Sequence, residues 1–427
     1  MSRCIFLALT LCLVWGCTIR SGPVTPLPPQ AGPAEAVPEV VQRGAGAKFV
    51  QFKTPTLGLL FGAIVAGPDG NMWFVDENAG ALVRIGMGGA FHEFPLSTFL
   101  GADAVSMAVG ADGKFYLSTE STDIVQVTTG GMAASIHIPS GDSTALDGIA
   151  PGPDGNVWFT EFNHIGKITP MGKITEFKYV TQPGTNQYGG VTGGSDGNVW
   201  FAESSQNAIG RIVPSTGKIT MFHITAPCTP AAVVLAKDNN VWFACLVTSP
   251  TMGRIAPSGA IKTFSIGGSF GGNETMQFCA RGPDGEPWCA PRNNGNVFRV
   301  NTATDTITTF TPPFAAGESP DAVAAGPDGN VWIDTIGGQH IDVLVLEPMA
   351  VTPTSLTFTA LSQTKIVTVA QSGVAHWTAV SSNPSVATVT QGSPASKFNV
   401  KSVHVGTCAV TISDTVHNFV VIHVIVS

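Results

Sequence analysis

The chain has 427 residues, of which 44% are hydrophobic and only 12% are charged, with 49 glycines and 30 prolines. This length allows two or three domains with sizeable cores, and a composition poor in Lys and Glu but rich in turn formers favours an all-β protein over a helical one. The formal net charge is −8 and no basic cluster is present. We therefore do not expect nucleic-acid binding, because it needs Lys and Arg to neutralise phosphates.

Residues 1–17 have the features of an export signal. Arg3 supplies a small positive region, an apolar stretch runs from Ile5 to Gly16, and Cys17 follows. Such a run suits a signal-peptide core and is too short to span a bilayer. Gly16 before Cys17 resembles a bacterial lipobox, so Cys17 is expected to be lipidated; a cleaved secretory signal is the alternative. Either way we expect export to the bacterial cell envelope, as a membrane-anchored lipoprotein or a secreted protein.

Residues 18–47 are rich in Pro, Ala and Gly and contain no aromatic residue. A segment of this composition cannot bury a core. It is expected to be an extended tether that holds the following domain away from a membrane.

A motif of the type GPDGNVWF recurs seven times in residues 48–348. Its turn aspartates are Asp69, Asp112, Asp154, Asp196, Asp238, Asp284 and Asp328, at intervals of 42 to 46 residues. Seven copies at this period predict a β-propeller with seven four-stranded blades. Pro, Asp, Gly and Asn are the residues that a hairpin turn requires, so the motif itself is interpreted as a turn between the inner and second strands.

The two ends of the repeat array complement each other. The seventh copy has no sequence for an outer strand, while an orphan strand, Lys48 to Lys53, precedes the first copy. Pairing this strand with the last blade would close the ring and remove exposed sheet edges.

Residues 349–427 consist of short Thr- and Val-rich strands separated by turn signals. They predict a small β-sandwich. The run from Ser381 to Thr390, followed by VGTCAVTISD, resembles bacterial Ig-like domains, and this resemblance implies a spacer or adhesive role. The expected architecture is therefore all-β, a seven-bladed β-propeller followed by a small Ig-like β-sandwich, in a monomeric chain.

Four cysteines of the propeller are candidates for disulfides. Cys279 and Cys289 are equidistant from the turn residue Asp284 and should face each other across one hairpin, while Cys228 and Cys245 lie at one end of the fifth blade. Export favours one or two disulfides among them. Neither spacing is a CxxC pair, so zinc is weakly supported.

A row of carboxylates is expected at one mouth of the central channel, where inner strands start and second strands end. The residues are Glu120, Asp147, Glu161 and Glu203. Clustered carboxylates can hold Mg²⁺ or Ca²⁺, or act as acid and base. They can equally be solvated charges at the rim of the propeller.

The segment from Gly152 to Phe177, GPDGNVWFTE…IGKITP.GKITEF, looks like the virginiamycin B lyase family, and the resemblance covers residues 48–348. It implies a metal-dependent elimination that opens a macrocyclic ester, with an inner-strand His, the Glu of WFTE and Mg²⁺. Glu161 and Glu203 occupy that Glu position as candidate catalytic residues and, with Asp147, as candidate metal ligands.

The His of the family has no counterpart in this sequence. The matching inner-strand positions are Gly62, Val105, Asp147, Gly189, Ala231, Gln277 and Asp321. His164 and His340, expected in loops after second strands, could reach the mouth, and His164 is the best substitute base because it follows Glu161 by three residues.

Three functions remain open at this stage. The chain could be a cell-envelope protein that binds a small molecule or protein partner at the propeller mouth, with a lipid anchor in the membrane. It could instead be a streptogramin-type lyase that uses Mg²⁺, or a lactonase-like hydrolase with a central Ca²⁺. Fold alone does not establish function. The loss of the family His favours the binding protein over the two enzymes.

Overall fold

The computed structural model describes residues 39–42, 48–54, 64–76, 79–96, 104–119, 121–140, 148–179, 189–245, 251–265, 278–291, 295–315, 317–346, 350–370, 377–414 and 419–427. Almost all regular structure in these ranges is β-strand, apart from one turn of 3₁₀ helix at Ser204–Gln206. No helix in the described ranges is long and apolar enough to cross a membrane. The predicted signal, Cys17 and most of the predicted tether lie outside the described residues.

Six antiparallel four-stranded sheets follow one another along the chain, each ordered from an inner to an outer strand. The first three are Ile64–Ala66, Met72–Asp76, Ala81–Ile85 and Phe91–Pro95 in blade 1; Ala104–Val109, Phe115–Thr119, Asp123–Val127 and Ala133–His137 in blade 2; and Ile149–Pro151, Val157–Thr160, His164–Ile168 and Ile174–Lys178 in blade 3. The next three are Val191–Gly193, Val199–Glu203, Ala208–Ile212 and Ile219–His223 in blade 4; Pro230–Leu235, Val241–Cys245, Thr251–Ile255 and Ile261–Ser265 in blade 5; and Phe278–Arg281, Pro287–Ala290, Val297–Asn301 and Thr306–Phe310 in blade 6.

Blade 7 joins the two ends of the array. Its first three strands are Ser319–Ala325, Val331–Ile336 and His340–Val345, and its fourth is Lys48–Lys53, which runs antiparallel to His340–Val345. The inner strands of neighbouring blades contact each other around the whole ring, including those of blades 7 and 1. The seven-bladed propeller and its closure by the early strand are therefore confirmed.

The tether prediction is wrong at its C-terminal end. Residues Glu39–Gln42 form a fifth strand of blade 7 and pair with Lys48–Lys53, with Val40 opposite Val50 and Val41 opposite Phe49. Val40 and Val41 are β-branched, so they favour a strand even though the residues before them are rich in proline.

The repeated turn motif builds the hairpins and also anchors the blade cores. In six blades the turn aspartate accepts a hydrogen bond of 2.9–3.2 Å from the indole N–H of the Trp four residues later. In blade 2 the hydroxyl of Tyr116 donates to Asp112 instead. Gly155 in blade 3 has φ of 79° and Asn239 in blade 5 has φ of 64°, a region that Gly and Asn tolerate best. The interpretation of the motif as a turn between the inner and second strands is therefore confirmed.

The C-terminal region is a β-sandwich, as predicted. One sheet contains Ala350–Thr352, Thr364–Ala370, Lys397–Ser402 and Ala387–Gln391, and the other contains Ser355–Phe358, Phe419–Val426, Gly406–Asp414 and Trp377–Ser381. A single apolar core that includes Phe358, Phe398 and Ile412 lies between them. The Ig-like identity of this region remains a prediction.

Candidate functional site

The candidate site is the central channel of the propeller and its two ends. At one end, which we call the mouth, the inner strands start and the second strands finish. At the other, the turn end, the repeated hairpins connect these strands. A cavity of about 600 Å³ follows the inner strands of all seven blades.

The wall of this channel is mostly apolar. Each blade contributes aliphatic or aromatic side chains, among them Ile64, Met107, Ile149, Val191, Val233, Phe278 and Val323. Ser106 and Thr192 add hydroxyl groups, and Arg281 adds a charge at the turn end. The lining residues that the structure describes include no carboxylate and no histidine. The described wall therefore offers a ligand apolar contact and backbone groups rather than acid–base chemistry.

Glu161 lies just after the second strand of blade 3 and is buried, with 6% of its surface exposed. Its Oε2 accepts a hydrogen bond of 2.8 Å from the hydroxyl of Ser140, which belongs to the connection from blade 2. Its backbone N–H donates to the carbonyl of His164 at 2.9 Å. The carboxylate is therefore positioned by two blades at the mouth.

Glu203 ends the second strand of blade 4 and is 1% exposed. Its Oε1 accepts hydrogen bonds from the backbone N–H of Ser205, at 3.2 Å, and from the Ser205 hydroxyl, so it caps the short helix at Ser204–Gln206. Burial raises the pKa of Glu203, and the hydrogen bonds from Ser205 and Tyr179 only partly oppose this effect. The side chain thus has a local structural role and is costly to keep ionised.

The predicted site residues are only partly brought together. Glu161 and His164 flank one tight connection, and Glu203 occupies the same position as Glu161 one blade later. His164 begins the third strand of blade 3, opposite Lys178, so the prediction that it lies in a loop is wrong. The backbone N–H of Glu161 donates to the carbonyl of His164 and closes a two-residue turn. The third strand of blade 3 therefore already begins at His164. Asp147 and Glu120 lie outside the described residues.

A magnesium site is not assembled by the residues that the structure describes. Within those ranges no group of three or more His, Cys, Asp or Glu side chains could hold a metal ion. Glu161 and Glu203 both accept hydrogen bonds from serine side chains. The third expected ligand, Asp147, lies outside the described residues, so the magnesium site stays a prediction and no chemical step is assigned to it.

The inner-strand position of the expected His coincides with a bulge in three blades. The register of the inner strand shifts on both sides of Val105, Ala231 and Asp321. A bulge leaves one residue out of the ladder and redirects it, which explains why a functional residue would be placed there. In blade 7 the position holds Asp321, which is fully buried.

A polar cluster in blade 7 was missed by the sequence analysis. His340 Nδ1 lies 2.7 Å from Asp342 Oδ2, and His340 Nε2 lies 3.1 Å from Glu318 Oε2. Gln51, from the closing strand, donates to Asp342 Oδ1 at 2.9 Å. The available signal was the spacing of His340 and Asp342, since residues two apart on a strand share a face.

This cluster favours the cationic form of His340. Burial alone would lower the pKa of His340, but the hydrogen bond and charge of Asp342, assisted by Glu318, outweigh it and raise the pKa to about 8. With both ring nitrogens bonded to carboxylates, His340 serves as a structural cation and is not a free base. His340 also begins a third strand, so the expected loop position is wrong here as well. Paired with Lys53 of the closing strand, it is drawn into the extended ladder.

Two disulfides lie next to the channel in neighbouring blades. Cys228 is joined to Cys245 at the mouth end of blade 5, and Cys279 to Cys289, its register partner in blade 6. Cys279 belongs to the channel lining. Each bridge fixes an inner strand, or the residues just before it, to the second strand of its blade.

Comparisons with known proteins agree with the propeller fold. A family model described as the virginiamycin B lyase family matches residues 35–188 and 179–416. The crystal structure of virginiamycin B lyase from Staphylococcus aureus is 28% identical with a TM-score of 0.62, covering 70% of this chain and 99% of its own. A streptogramin B lyase structure is 25% identical with a TM-score of 0.59, covering 69% and 96%.

A third similar structure is that of an inactive enzyme variant. It is a catalytically inactive histidine-to-alanine variant of the Staphylococcus aureus enzyme with quinupristin, 26% identical, with a TM-score of 0.61 and coverage of 70% and 99%. No curated protein sequence gives a significant match.

Proposed function

Because the chain belongs to the virginiamycin B lyase family, we propose that it is a member that binds an apolar ligand in its central channel and does not transform it. The observation that carries this proposal is the apolar wall of the channel, which is built by the inner strands of all seven blades. A volume of about 600 Å³ is within the range of small-molecule sites. Transfer of an apolar ligand from water into such a wall is favourable by about 25 cal/mol per Å² of surface buried.

The positions that would carry chemistry support binding over catalysis. At the bulge positions of blades 2, 5 and 7 the chain has Val105, Ala231 and Asp321 where the family resemblance leads us to expect a histidine. A related enzyme with one histidine replaced by alanine is described as catalytically inactive. A lactonase-like site would need carboxylates deep in the channel, and the described lining provides none.

The channel can be tested with phenylnaphthylamine, an uncharged apolar probe that fluoresces when it leaves water. We expect saturable binding to the full chain and a loss of affinity of about tenfold or more in Thr192→Trp, because an indole at this lining position would fill the channel. The matched control is Thr220→Trp, at a partly exposed position on the outer strand of the same blade.

Two results would overturn the binding proposal. One is an absence of saturable probe fluorescence with the native chain. The other is equal affinity in Thr192→Trp and Thr220→Trp, which would place the probe outside the channel. Circular dichroism of both variants should match that of the native chain, so that loss of fold is not read as loss of binding.

A lyase is the second candidate, favoured by one observation. Glu161 and Glu203 are buried carboxylates at equivalent positions of adjacent blades, and burial raises the pKa of Glu203. In this alternative they would act at the mouth together with His164, and Asp147 would join the two carboxylates as a ligand of Mg²⁺. Ca²⁺ would take the place of Mg²⁺ in a lactonase-like hydrolase.

Incubation with quinupristin separates the three functions by mass and retention time. We expect the macrocycle to stay intact with and without Mg²⁺ or Ca²⁺, as measured by liquid chromatography and mass spectrometry. Elimination would give an opened isomer of unchanged mass, whereas hydrolysis would add the mass of one water. An opened product that disappears with EDTA or in Glu161→Gln would establish an enzyme and contradict the absence of chemistry proposed here.

We also propose that the protein works in the bacterial cell envelope as a monomer, anchored to a membrane through Cys17 or released after cleavage of the signal. The apolar run before Cys17 and the Pro-rich segment after it support this, and the C-terminal sandwich would act as an Ig-like spacer. Metabolic labelling with palmitate would test it. Incorporation that is equal in the native chain and in Cys17→Ser would rule out the anchor.

A further inference from the structure

Arg281 is the charged residue among the described residues of the channel lining. It ends the inner strand of blade 6, next to the turn that begins at Gly282, and it is exposed. Its side chain lies against Gly285 on the side of blade 5: a Cβ built on Gly285 would be 3.4 Å from Arg281 Nη2 and 2.9 Å from Lys237 Cβ. The guanidinium is therefore at the turn end of the channel, in the cleft between blades 5 and 6.

The two carboxylates of the hairpin beside Arg281 are paired with other basic side chains. Lys237 Nζ pairs with Glu286 at 2.9 Å, and Arg299 Nε pairs with Asp284 Oδ2 at 2.5 Å. Glu286 is 1% exposed and also accepts the backbone N–H of Thr302 at 3.1 Å. The two carboxylates at this turn thus already have basic partners, and within the described residues Arg281 forms no ion pair with either. Lys237 and Arg299 thus occupy the two carboxylates beside Arg281, and the guanidinium of Arg281 lines the end of the channel.

We propose that the channel takes an amphipathic anion, with its apolar body along the channel and its anionic group bound by Arg281 at the turn end. This inference rests on the proposed function, since it assigns a chemical class to the ligand of the same channel. A planar guanidinium matches the geometry of a carboxylate, sulfonate or phosphate and binds it through two parallel hydrogen bonds.

The arrangement along the channel sets the orientation of the ligand. The inner strands rise about 3.3 Å per residue, so strands of three to seven residues give the apolar body a path on the order of 10–20 Å.

Two dyes that share one apolar body test the charge separately from the channel. Phenylnaphthylamine is neutral, and anilinonaphthalene sulfonate adds one sulfonate to the same rings. With the full chain we expect Arg281→Gln to weaken binding of the sulfonate by about tenfold and to leave the neutral dye unchanged. The affinity of Arg281→Lys for the sulfonate should lie between those of the native chain and Arg281→Gln. Lysine keeps the positive charge but lacks the planar guanidinium that donates two parallel hydrogen bonds. Lys173→Gln, which removes an exposed charge just before the outer strand of blade 3, should change neither dye.

The outcomes distinguish this inference from the proposed function. If neither dye binds the native chain saturably, the channel is not a ligand site and both proposals fail. If both dyes bind and Arg281→Gln leaves the affinity for the sulfonate unchanged, ligand binding in the channel is supported and the role of Arg281 is refuted. An equal loss in Arg281→Gln and Lys173→Gln would show a general effect of net charge, which also refutes it.

Discussion

A chain that begins at Thr54 is expected to lose the cooperative thermal transition of its propeller, whereas a chain that begins at Lys48 is expected to retain it. The strand Lys48–Lys53 supplies the fourth strand of blade 7, and its Phe49, Val50 and Phe52 are fully buried. Burying each of these side chains contributes about 1.5–3 kcal/mol. Their sum approaches the total free energy of unfolding of an ordinary domain, about 5–15 kcal/mol.

The comparison with the chain that begins at Lys48 isolates the effect of closure. That chain also lacks Glu39–Gln42, which pairs with a single neighbour at the outer edge of blade 7, so only a small change in Tm is expected. Differential scanning calorimetry of both chains, with the sandwich present in each, is the measurement. Equal transition temperatures and enthalpies would mean that the propeller does not depend on the early strand.

A single substitution perturbs the same strand less than its deletion does. Phe52 stacks on Trp332 of blade 7, with ring centroids 5.6 Å apart and planes inclined by 8°. Phe52→Ala should therefore lower the free energy of unfolding by about 3–5 kcal/mol, the range of large-to-small changes in a core.

The fold was predictable because the repeat constrains it at every level. The turn motif needs Gly155, or Asn239 in its place, for its backbone angles, and it needs the aspartate for the indole N–H of the buried Trp. Each copy therefore reports a hairpin with a known inner and second strand, and counting copies gives the number of blades. The strand at Glu39–Gln42 could not be found this way, because it lies outside the repeat and its four residues give no periodic signal.

The site was less predictable, because side-chain partners depend on contacts between blades. The sequence placed Glu161 at the mouth correctly by its position after WFT, but it gave no sign that Ser140, from the preceding blade, binds it. Nor did it show that Glu203 caps its own turn. His340 was considered only as a residue near the mouth, since its partner Gln51 is 289 positions earlier in the chain. Such pairings follow from ring closure and become visible only with coordinates.

The second large effect is expected at this same closure. His340→Ala should lower the free energy of unfolding by about 3–5 kcal/mol, because it leaves the fully buried carboxylate of Asp342 without its cation. His137→Ala is the matched control. His137 Nδ1 lies 2.8 Å from Asp123 Oδ1, but its side chain is 69% exposed, so the loss should be at most about 1 kcal/mol. Urea unfolding at pH 6 gives both values, and equal losses would contradict a special role for the blade 7 cluster.

The pH dependence of stability gives an independent check on His340. Its pKa in the folded protein is about 8, above the ordinary value of 6.5, so its cation stabilises the fold fully below pH 6.5. That contribution is lost as the pH rises through about 8, and it corresponds to about 2 kcal/mol. The native chain should therefore lose stability between pH 6.5 and about 9, and His340→Ala should lack this loss while His137→Ala retains it. If native and His340→Ala chains had parallel profiles across that range, the imidazole would not be held as a cation between Asp342 and Glu318, and its part in joining the closing strand to blade 7 would have to be abandoned.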